Sequence, residues 1–367
     1  MLKNIEINTV GLMSGTSMDG INATLVSTNG KILNRYNITT IAHYSKSTIS
    51  LLKNALKNPA KCIDNFSFYN DLEHMVTIDH YSATKKLLKN TSIRPDLIGF
   101  HGQTIFHDPS SKKTIQVGNG KFLSTLLKTP VVCDFRINDI LNGGQGAPIA
   151  PIYHKHIIEN NNFKLPSCII NIGGIANLSY WDGSNLVGFD TGPGNCLMDK
   201  FMQNTFGLKF DNDGIVASKG NCHPYIVNKL LKDNYFSKLY PKSLDKSYFD
   251  FILKYFGNMT AEDIMATLLD CTVNSIINSL NLLPRKPKEI MITGGGAENS
   301  QLMWLLSKKL NTNYNLKNAK SLGIEADMIE AELIAFLAAR KIYNLPITFP
   351  KTTGISMPLT GGKVYSK

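Results

Sequence analysis

The sequence lacks both the paired cysteines of a metal site and any long apolar run. Its six cysteines stand at positions 62, 133, 168, 196, 222 and 271, so no two have the C-x-x-C spacing of a zinc or redox site. A chain of 367 residues can bury a sizeable core without disulfides, and we expect reduced thiols. It contains no apolar run of about 18 residues and no signal-peptide-like N-terminus. We therefore expect a cytoplasmic protein that does not bind a membrane.

Arginine is also scarce, with five residues in a chain whose formal net charge is +11. The positive charge comes from scattered lysines, and no basic stripe interleaved with aromatic residues indicates a nucleic-acid surface. We expect no nucleic-acid partner, and a basic surface that attracts anionic ligands. The composition is that of a globular protein, with 43% hydrophobic and 18% charged residues. The length favours two domains with a cleft between them.

An unusually polar turn joins two apolar segments near the N-terminus. The stretch INTVGLMSGTSMDGINATLVS (7–27) passes from one segment to the next through glycine, serine and threonine residues and one acid. A hairpin needs only two turn residues. A turn of this composition exposes N–H and hydroxyl donors and lets a bulky anion approach the backbone. The stretch is not a Walker A loop, because the pattern G-x-x-x-x-G-K-[ST] is absent. Taken alone, it could also be a plain connection.

Two later stretches repeat this theme. SCIINIGGIANLSYWDGSNLVGFDTGPG, from residue 167, again runs strand, glycine turn, strand, with a second hairpin turn at Asp182-Gly183. IMITGGGAENSQLMWLL (290–306) runs strand, three glycines, helix, an arrangement that lets a flat or charged ligand lie on the backbone. Glycine runs also occur as linkers. Three such turns, each at a strand end, nevertheless favour a nucleotide site.

The remaining segments alternate between strand and helix patterns, which predicts an α/β protein with mixed sheets. Helical patterns occupy residues 50–60, 69–90, 299–310 and 326–343, and most of the region 224–282. Apolar strand patterns lie at DLIGFHGQTIFHD, TIQVG and PVVCDFR.

Seven blocks of the sequence resemble the anhydro-N-acetylmuramic acid kinase family, whose fold is that of actin, hexokinase and the heat-shock chaperone ATPases. The blocks run in order along most of the chain: GLMSGTSMDG, GFHGQTIFH, CDFR, GGQGAPIAP, NIGGIANLS, GFDTGPGN and TGGGAENSQLM. The resemblance implies a two-lobed actin-like ATPase fold, each lobe a mixed sheet flanked by helices, with an interdomain cleft. We expect the N-terminal lobe to comprise residues 1–135 and 345–367, and the C-terminal lobe residues 136–344.

The resemblance also implies a reaction. The family opens 1,6-anhydro-N-acetylmuramic acid with water and phosphorylates O6 with ATP and Mg²⁺, giving N-acetylmuramic acid 6-phosphate and ADP during cell-wall recycling. Two alternatives stay open: another sugar or small-carboxylate kinase of the same fold, and a non-metabolic actin-like ATPase. A homodimer is possible in each case.

The resemblance assigns ATP to the three glycine turns. Asp19 is the expected Mg²⁺ ligand, because one or two carboxylates usually hold the Mg²⁺ that accompanies a nucleotide. The expected nucleotide-binding residues are Gly15, Thr16, Ser17, Met18, Asp19, Gly20, Ile21, Asn22, Gly173, Gly174, Asn177, Gly294, Gly295 and Gly296.

The expected catalytic residues are Asp190 and Glu330. Asp190, in GFDTGPGN, is the expected general base, and the turn after it offers donors that would keep it ionised. A helix-capping role for Asp190 is the alternative. Glu330 is expected to orient Asp190 or the attacking water, although an acid in the first turn of a helix is also favoured by the helix dipole.

The sugar is expected to contact polar residues from several blocks. His101 and Gln103 end a strand pattern, where a buried histidine in a purely structural role is the alternative. Asp134 and Arg136 are two residues apart, so a strand would place both side chains on one face, either for substrate binding or as a structural ion pair. The expected sugar-binding residues are His101, Gln103, Asp134, Arg136, Gly192 and Asn195.

Two stretches depart from the family pattern. The first turn continues with Asn22 where the family usually has an aspartate. The segment YPKSLDKSYFD (240–250) keeps part of a usual PPKSTGRE-like pattern. Both departures bear on substrate contacts more than on the reaction.

Overall fold

The computed structural model describes residues 5–15, 18, 20–310 and 314–366. The chain divides into two compact units. Unit 1 comprises Met1–His156 and Asp327–Lys367, and unit 2 comprises Ile157–Ala326. Each unit is a mixed sheet with helices packed against it, so the predicted α/β class is confirmed. Within the described ranges no helix is long and apolar enough to span a bilayer.

Both units are built from short strands and from helices of varied length. The strands are β1 (Ile7–Ser14), β2 (Ile21–Thr28), β3 (Leu33–Ala42), β4 (Leu97–Phe100), β5 (Gln103–Asp108), β6 (Lys113–Val117), β7 (Val131–Cys133), β8 (Ser167–Ile172), β9 (Ile175–Trp181), β10 (Leu186–Pro193), β11 (Glu289–Thr293), β12 (Asn315–Asn318) and β13 (Lys363–Tyr365). The helices are α1 (Lys46–Lys57), α2 (Pro59–Asp64), α3 (Phe66–Leu88), α4 (Gly120–Leu127), α5 (Ile137–Leu141), α6 (Pro151–Asn160), α7 (Cys196–Phe206), α8 (Pro224–Leu231), α9 (Asn234–Ser237), α10 (Ala261–Leu280), α11 (Ser300–Leu310), α12 (Ile329–Ile342) and α13 (Pro350–Thr353).

The two large sheets share one plan. The unit 1 sheet has the order β13-β7-β4-β1-β2-β3, and the unit 2 sheet has the order β10-β9-β8-β11-β12. In unit 1 the first three strands form an antiparallel meander, and β4 and β7 continue parallel to β1. In unit 2 the strands β8, β9 and β10 form the same meander, and β11 and β12 continue parallel to β8. The two stretches that follow one plan in the sequence therefore also share one strand topology.

Local chemistry explains where these elements begin. Ser45, Asn119 and Thr260 accept a backbone N–H from the first turns of α1, α4 and α10, as N-caps do. Asp182 accepts the Ser184 N–H at 2.9 Å in the turn between β9 and β10, which confirms the predicted hairpin. The residues of β11 are all buried, as expected for a strand covered on both faces.

Helix α12 returns to the sheet of unit 1. It packs against β1, β2 and β4, and a Cβ on Gly11 would lie 1.9 Å from the Ala331 carbonyl oxygen. Only glycine allows this close approach of a helix to a strand. The division therefore differs from the expected boundaries: residues 136–156 and 327–344, which were expected in the C-terminal lobe, belong to unit 1.

A buried ion pair also holds α12 to the sheet. The Arg35 guanidinium on β3 contacts both carboxylate oxygens of Glu332 on α12, at 2.6 and 2.8 Å. The Tyr153 hydroxyl on α6 donates to Glu332 Oε2 at 2.5 Å. The Glu332 side chain is 4% exposed, so its charge depends on these partners rather than on water.

Replacing Glu332 with alanine is expected to lower the free energy of unfolding by about 3 kcal/mol, because the half-buried Arg35 guanidinium loses its carboxylate partner. Urea unfolding with linear extrapolation measures this loss. Glu159→Ala removes an exposed acid and serves as the control, with an expected change within about 0.5 kcal/mol. Equal, small losses for both variants would mean that the ion pair does not hold α12.

Candidate functional site

Three glycine-containing turns lie together at one edge of the unit 2 sheet. They follow β8, β10 and β11 and contain Gly173 and Gly174, Gly194, and residues 294–296 respectively. The Gly194 N–H donates to the Gly174 carbonyl at 3.0 Å. A Cβ on Gly296 would lie 2.4 Å from the Ile172 side chain, so the third turn packs against the end of β8. The turns at residues 173–174 and 294–296, which are far apart in the sequence, thus lie next to each other in the structure.

The β8–β9 turn has its carbonyls bound and its N–H groups available. Asn195 donates its backbone N–H to the Gly173 carbonyl at 2.8 Å, and Gly194 and Cys196 donate theirs to the Gly174 carbonyl. A Cβ on Gly194 would lie 2.2 Å from the Gly173 carbonyl oxygen, so glycine is required there. Within the part of the chain that the structure describes, the N–H groups of Gly173 and Gly174 donate to no acceptor. A backbone arranged in this way is suited to an anion.

A row of polar residues crosses the strands of the unit 2 sheet beside these turns. Thr293 pairs with Asn171, Asn171 with Asn177, and Asn177 with Asp190 in the register of adjacent strands. Directly paired residues point to the same face of a sheet. The Asn177 Oδ1 atom is buried without a hydrogen-bond partner in the described chain. An acceptor of this kind needs a donor, and a bound ligand can supply one.

Asp190 is held firmly within this row. It lies in β10 and is 9% exposed. The Leu244 N–H donates to its Oδ2 atom at 2.8 Å, and the Asp190 N–H donates to the Lys242 carbonyl at 3.1 Å. The Tyr235 hydroxyl donates to the Asp190 carbonyl oxygen. A backbone N–H on a carboxylate oxygen favours the ionised form and fixes its orientation.

The structure excludes a capping role for Asp190, because α7 begins at Cys196 while Asp190 lies inside a strand. The turn that follows Asp190 was expected to supply donors to its carboxylate. One donor, the Leu244 N–H, comes from the segment 240–250, which the sequence did not connect with this carboxylate. The Thr191 hydroxyl, one of the expected donors, donates to the Ala176 carbonyl at 3.1 Å.

The two sugar-binding residues expected in unit 2 pack against protein groups. A Cβ on Gly192 would lie 2.7 Å from the Ser275 side chain, so Gly192 faces α10. The Asn195 side-chain amide donates to the Ile172 carbonyl at 3.4 Å. Asn195 thus lies beside the glycine turns. Gly192 lies where the pairing of β10 with β9 shifts register.

Lys242 is a further functional candidate, which no motif in the sequence marked individually. It is 1% exposed, its ammonium donates to the Tyr235 carbonyl at 3.0 Å, and it lies over the rings of Tyr235 and Phe189. Burial lowers the pKa of the Lys242 ammonium to about 8, while the Asp190 carboxylate acts in the opposite direction. The partial match of this segment to the family pattern was the only signal that pointed to it.

The first hairpin turn lies in unit 1. Thr16, Ser17 and Asp19 are outside the described residues, so the expected metal ligand is among those not described. The Met18 N–H donates to the Gly15 carbonyl at 3.1 Å, and the Gln103 side-chain amide donates to the same carbonyl at 3.1 Å. Gln103, an expected sugar-binding residue, therefore supports the turn directly. Gly20, the last residue before β2, lies against Ala42.

The side chains of Ile21 and Asn22 both contact protein groups, the first in the core and the second at the start of α12. Ile21 is fully buried, so it could reach a nucleotide only through its backbone. The Asn22 amide donates to the Asp327 carbonyl, just before α12, at 2.7 Å. The aspartate that the family usually has at this position could not donate this hydrogen bond. The departure therefore has a structural role in this chain.

His101 and Arg136 form a buried pair in unit 1. Arg136 Nε donates to His101 Nε2 at 3.2 Å, and Arg136 Nη1 donates to the Gly146 carbonyl at 2.8 Å. His101 Nδ1 donates to the Gly102 carbonyl at 2.9 Å. Burial, followed by the Arg136 charge, lowers the pKa of the His101 imidazole to about 3. The histidine is therefore neutral and holds Arg136 in place.

The expectation that Asp134 and Arg136 share one face of a strand is wrong. Strand β7 ends at Cys133, and Asp134 adopts a left-handed backbone with φ of 60°. Arg136 stands just before α5. The chain turns at Asp134, so the period-two rule for strands does not apply. Burial raises the pKa of the Asp134 carboxyl group.

Glu330 is in the first turn of α12 and is half-buried. A carboxylate is stabilised there by the N-terminal end of the helix dipole. The structure thus groups Glu330 with His101, Gln103, Asp134 and Arg136 in unit 1. Asp190 and the glycine turns at residues 173–174 and 294–296 belong to unit 2.

The repeated sheet plan and the glycine turns at the strand ends give the α/β architecture expected of a kinase with an actin-like fold. The chain belongs to the anhydro-N-acetylmuramic acid kinase family, whose sequence profile matches residues 7–367. It is therefore a kinase by family.

Named relatives align with this chain over nearly the whole length of both sequences. The anhydro-N-acetylmuramic acid kinase of Rhodopseudomonas palustris (strain BisB18) is 38% identical over 362 residues, which cover 97% of this chain and 98% of the relative. That of Pelagibacter ubique is 38% identical over 365 residues, 96% of each chain. Among solved structures, component A of (R)-2-hydroxyglutaryl-CoA dehydratase from Acidaminococcus fermentans superposes with a TM-score of 0.48 at 13% identity, over 92% of this chain and 99% of that chain.

Proposed function

We propose that this protein is an ATP-dependent kinase that opens 1,6-anhydro-N-acetylmuramic acid with water and phosphorylates O6. Water adds its oxygen to C1, the C1–O6 bond breaks, and O6 takes the γ-phosphoryl group of ATP. The products are N-acetylmuramic acid 6-phosphate and ADP, as in the recycling of cell-wall fragments. The observation that carries the proposal is the oriented Asp190 carboxylate beside a backbone turn suited to phosphate.

ATP would bind through its phosphates to the glycine turns and through its adenosine to the turn before α11. The free N–H groups of Gly173 and Gly174 support the first assignment. Next to α11, unit 2 contains a cavity of about 330 Å³ lined by residues that include Ala217, Leu269 and Trp304. This volume lies at the lower end of the range of small-ligand pockets, and residues 294–296 do not line the cavity. The first hairpin, residues 14–22, would grip the same triphosphate from the N-terminal lobe.

Mg²⁺ would accompany ATP, with Asp19 as its protein ligand. In the described ranges no group of three His, Cys, Asp or Glu side chains converges on one point. Mg²⁺ does not require such a group, because it takes most of its ligands from water and phosphate oxygens. When bound, the ion would neutralise charge on the β- and γ-phosphates.

The protein groups would mainly position the reactants and move one proton. Asp190 would accept a proton from the attacking water, since a base must be ionised and within reach of that water. Glu330 would orient Asp190 or the water. His101, Gln103, Asp134, Arg136 and Asn195 would recognise the sugar, and the Arg136 cation is our candidate for the lactyl carboxylate.

The first alternative is another kinase of this fold that phosphorylates a free hydroxyl without consuming water. An actin-like ATPase without a sugar substrate is the second alternative. It would hydrolyse ATP without sugar and assemble into filaments. We further propose a cytoplasmic location. Sedimentation of the full-length chain tests whether it forms a homodimer.

The test is the reaction of the anhydro sugar with ATP and Mg²⁺ in ¹⁸O-labelled water. We expect one solvent oxygen at C1 and none in the phosphate ester, because O6 comes from the sugar. Mass spectrometry and NMR of the rapidly quenched product locate the label. Finished product incubated in labelled water controls for exchange at C1. A phosphorylated product that keeps its anhydro bridge would instead identify the first alternative.

A further inference from the structure

Lys246 lies directly against the glycine turn between β8 and β9. A Cβ placed on Gly174 would be 3.2 Å from Lys246 Nζ and 3.0 Å from its Cε. The last carbons and the ammonium of this side chain therefore rest on the turn. The side chain is exposed, and the ion pairs found in unit 2 do not involve it.

The ammonium and the backbone form one positive surface. The carbonyls of Gly173 and Gly174 are bound by the N–H groups of the turn before α7, while their own N–H groups have no acceptor in the described chain. The charge of Lys246 also extends to the start of α7, where it opposes the effect of burial on the pKa of Cys196. The N-terminal end of a helix adds further positive potential there.

The acids near Lys246 in the segment 240–250 already have hydrogen-bond or ion-pair partners. Asp245 accepts the backbone N–H and the hydroxyl of Ser247. Asp250 pairs with Lys200 at 2.5 Å. Neither contact involves the ammonium of Lys246.

We propose that Lys246 binds the phosphate groups of ATP at the Gly173–Gly174 turn. The inference rests on the proposed function and adds a residue to it. A lysine ammonium acts as a compact charge with three donors, and phosphate accepts such a contact without a fixed geometry.

Calorimetric titration of the full-length chain with ADP and Mg²⁺, and separately with adenosine, tests the proposal. Lys246→Met is expected to raise the dissociation constant for ADP by roughly 10- to 100-fold, the worth of a hydrogen bond to a charged group. Lys246→Arg keeps a cation and is expected to stay within about threefold of the unaltered chain. The exposed Lys254→Met is the matched control, with no expected change.

Adenosine separates a phosphate contact from a structural effect, because it has no phosphate. Its affinity is expected to be the same in all variants. Equal losses of ADP and adenosine affinity in Lys246→Met, or unchanged ADP binding, would overturn the role of Lys246. An unaltered chain that binds neither ligand would instead contradict the proposed function itself. Raising the salt concentration is expected to weaken ADP binding less in Lys246→Met than in the unaltered chain.

Discussion

Replacing Asp190 with asparagine is expected to lower turnover of the anhydro sugar by about two to four powers of ten, the usual contribution of a general base. Asparagine keeps an oxygen that can accept the Leu244 N–H, so the fold of this region should persist. It cannot take a proton from water. ATP binding should stay near that of the unaltered chain, because the glycine turns are unchanged. Steady-state kinetics and a nucleotide titration measure the two effects separately.

The control for Asp190→Asn is Asp245→Asn. Asp245 is exposed and belongs to the segment that supplies the Leu244 donor, so this variant makes the same change of charge nearby. Its side-chain oxygen can still accept the Ser247 N–H, and turnover should be nearly unaffected. Full turnover in Asp190→Asn would transfer the role of base to Asp134 or Glu330. Asp134→Asn and Glu330→Gln would then decide between them.

Lowering the pH from about 7 to about 5 is expected to destabilise unit 1, because several of its histidines are buried without charge. Burial lowers the pKa of His80 and His154 to about 4 and that of His101 to about 3. In the unfolded chain these groups titrate near 6.5. Below that pH the unfolded chain binds more protons, so the free energy of unfolding falls as the pH is lowered. Each histidine contributes up to roughly 1.4 kcal/mol per pH unit.

Urea unfolding at a series of pH values, with one histidine replaced, tests this explanation. The His80 ring packs against Phe100 and Tyr44, with centroids 4.8 and 5.8 Å away, so phenylalanine is a shape-compatible replacement. His80→Phe is expected to make stability less dependent on pH between about 6.5 and 4. His74 is exposed, and His74→Gln should leave the dependence unchanged. The same dependence in His80→Phe as in the unaltered chain would assign the acid sensitivity to other groups.

The fold could be predicted from the sequence because its strongest signals are local. The two hairpins at residues 7–28 and 167–193 show apolar strands and glycine turns in the same order, and both are present as antiparallel strand pairs. The third strand of the unit 1 meander, β3, was not predicted. Helix patterns at residues 69–90 and 326–343 correspond to α3 and α12 within a few residues. Periodicity and turn chemistry depend on neighbours in the chain, so they can be read without the fold.

The candidate site could be predicted only in part. The identity of Asp190 and of the glycine turns followed from motifs, but the Leu244 donor and the Lys246 ammonium come from residues about 55 to 70 positions away in the chain. Asp134 and Arg136 do not share one face of a strand, because β7 ends at Cys133, one residue before Asp134. Strand ends are set by sheet pairing, which the local pattern does not contain.

The sequence alone determined the α/β class, the repeated hairpin plan, the glycine turns and, through seven ordered blocks, the family. These features depend on side-chain periodicity and on the need of tight turns for glycine. Only the tertiary structure decided that α12 returns to the first sheet, where Glu332 meets Arg35. It also decided that segment 240–250 packs against Asp190 and brings Lys246 to the glycine turn after β8. Such contacts form through burial and charge pairing between segments that are distant in the chain. A local sequence pattern therefore does not predict them.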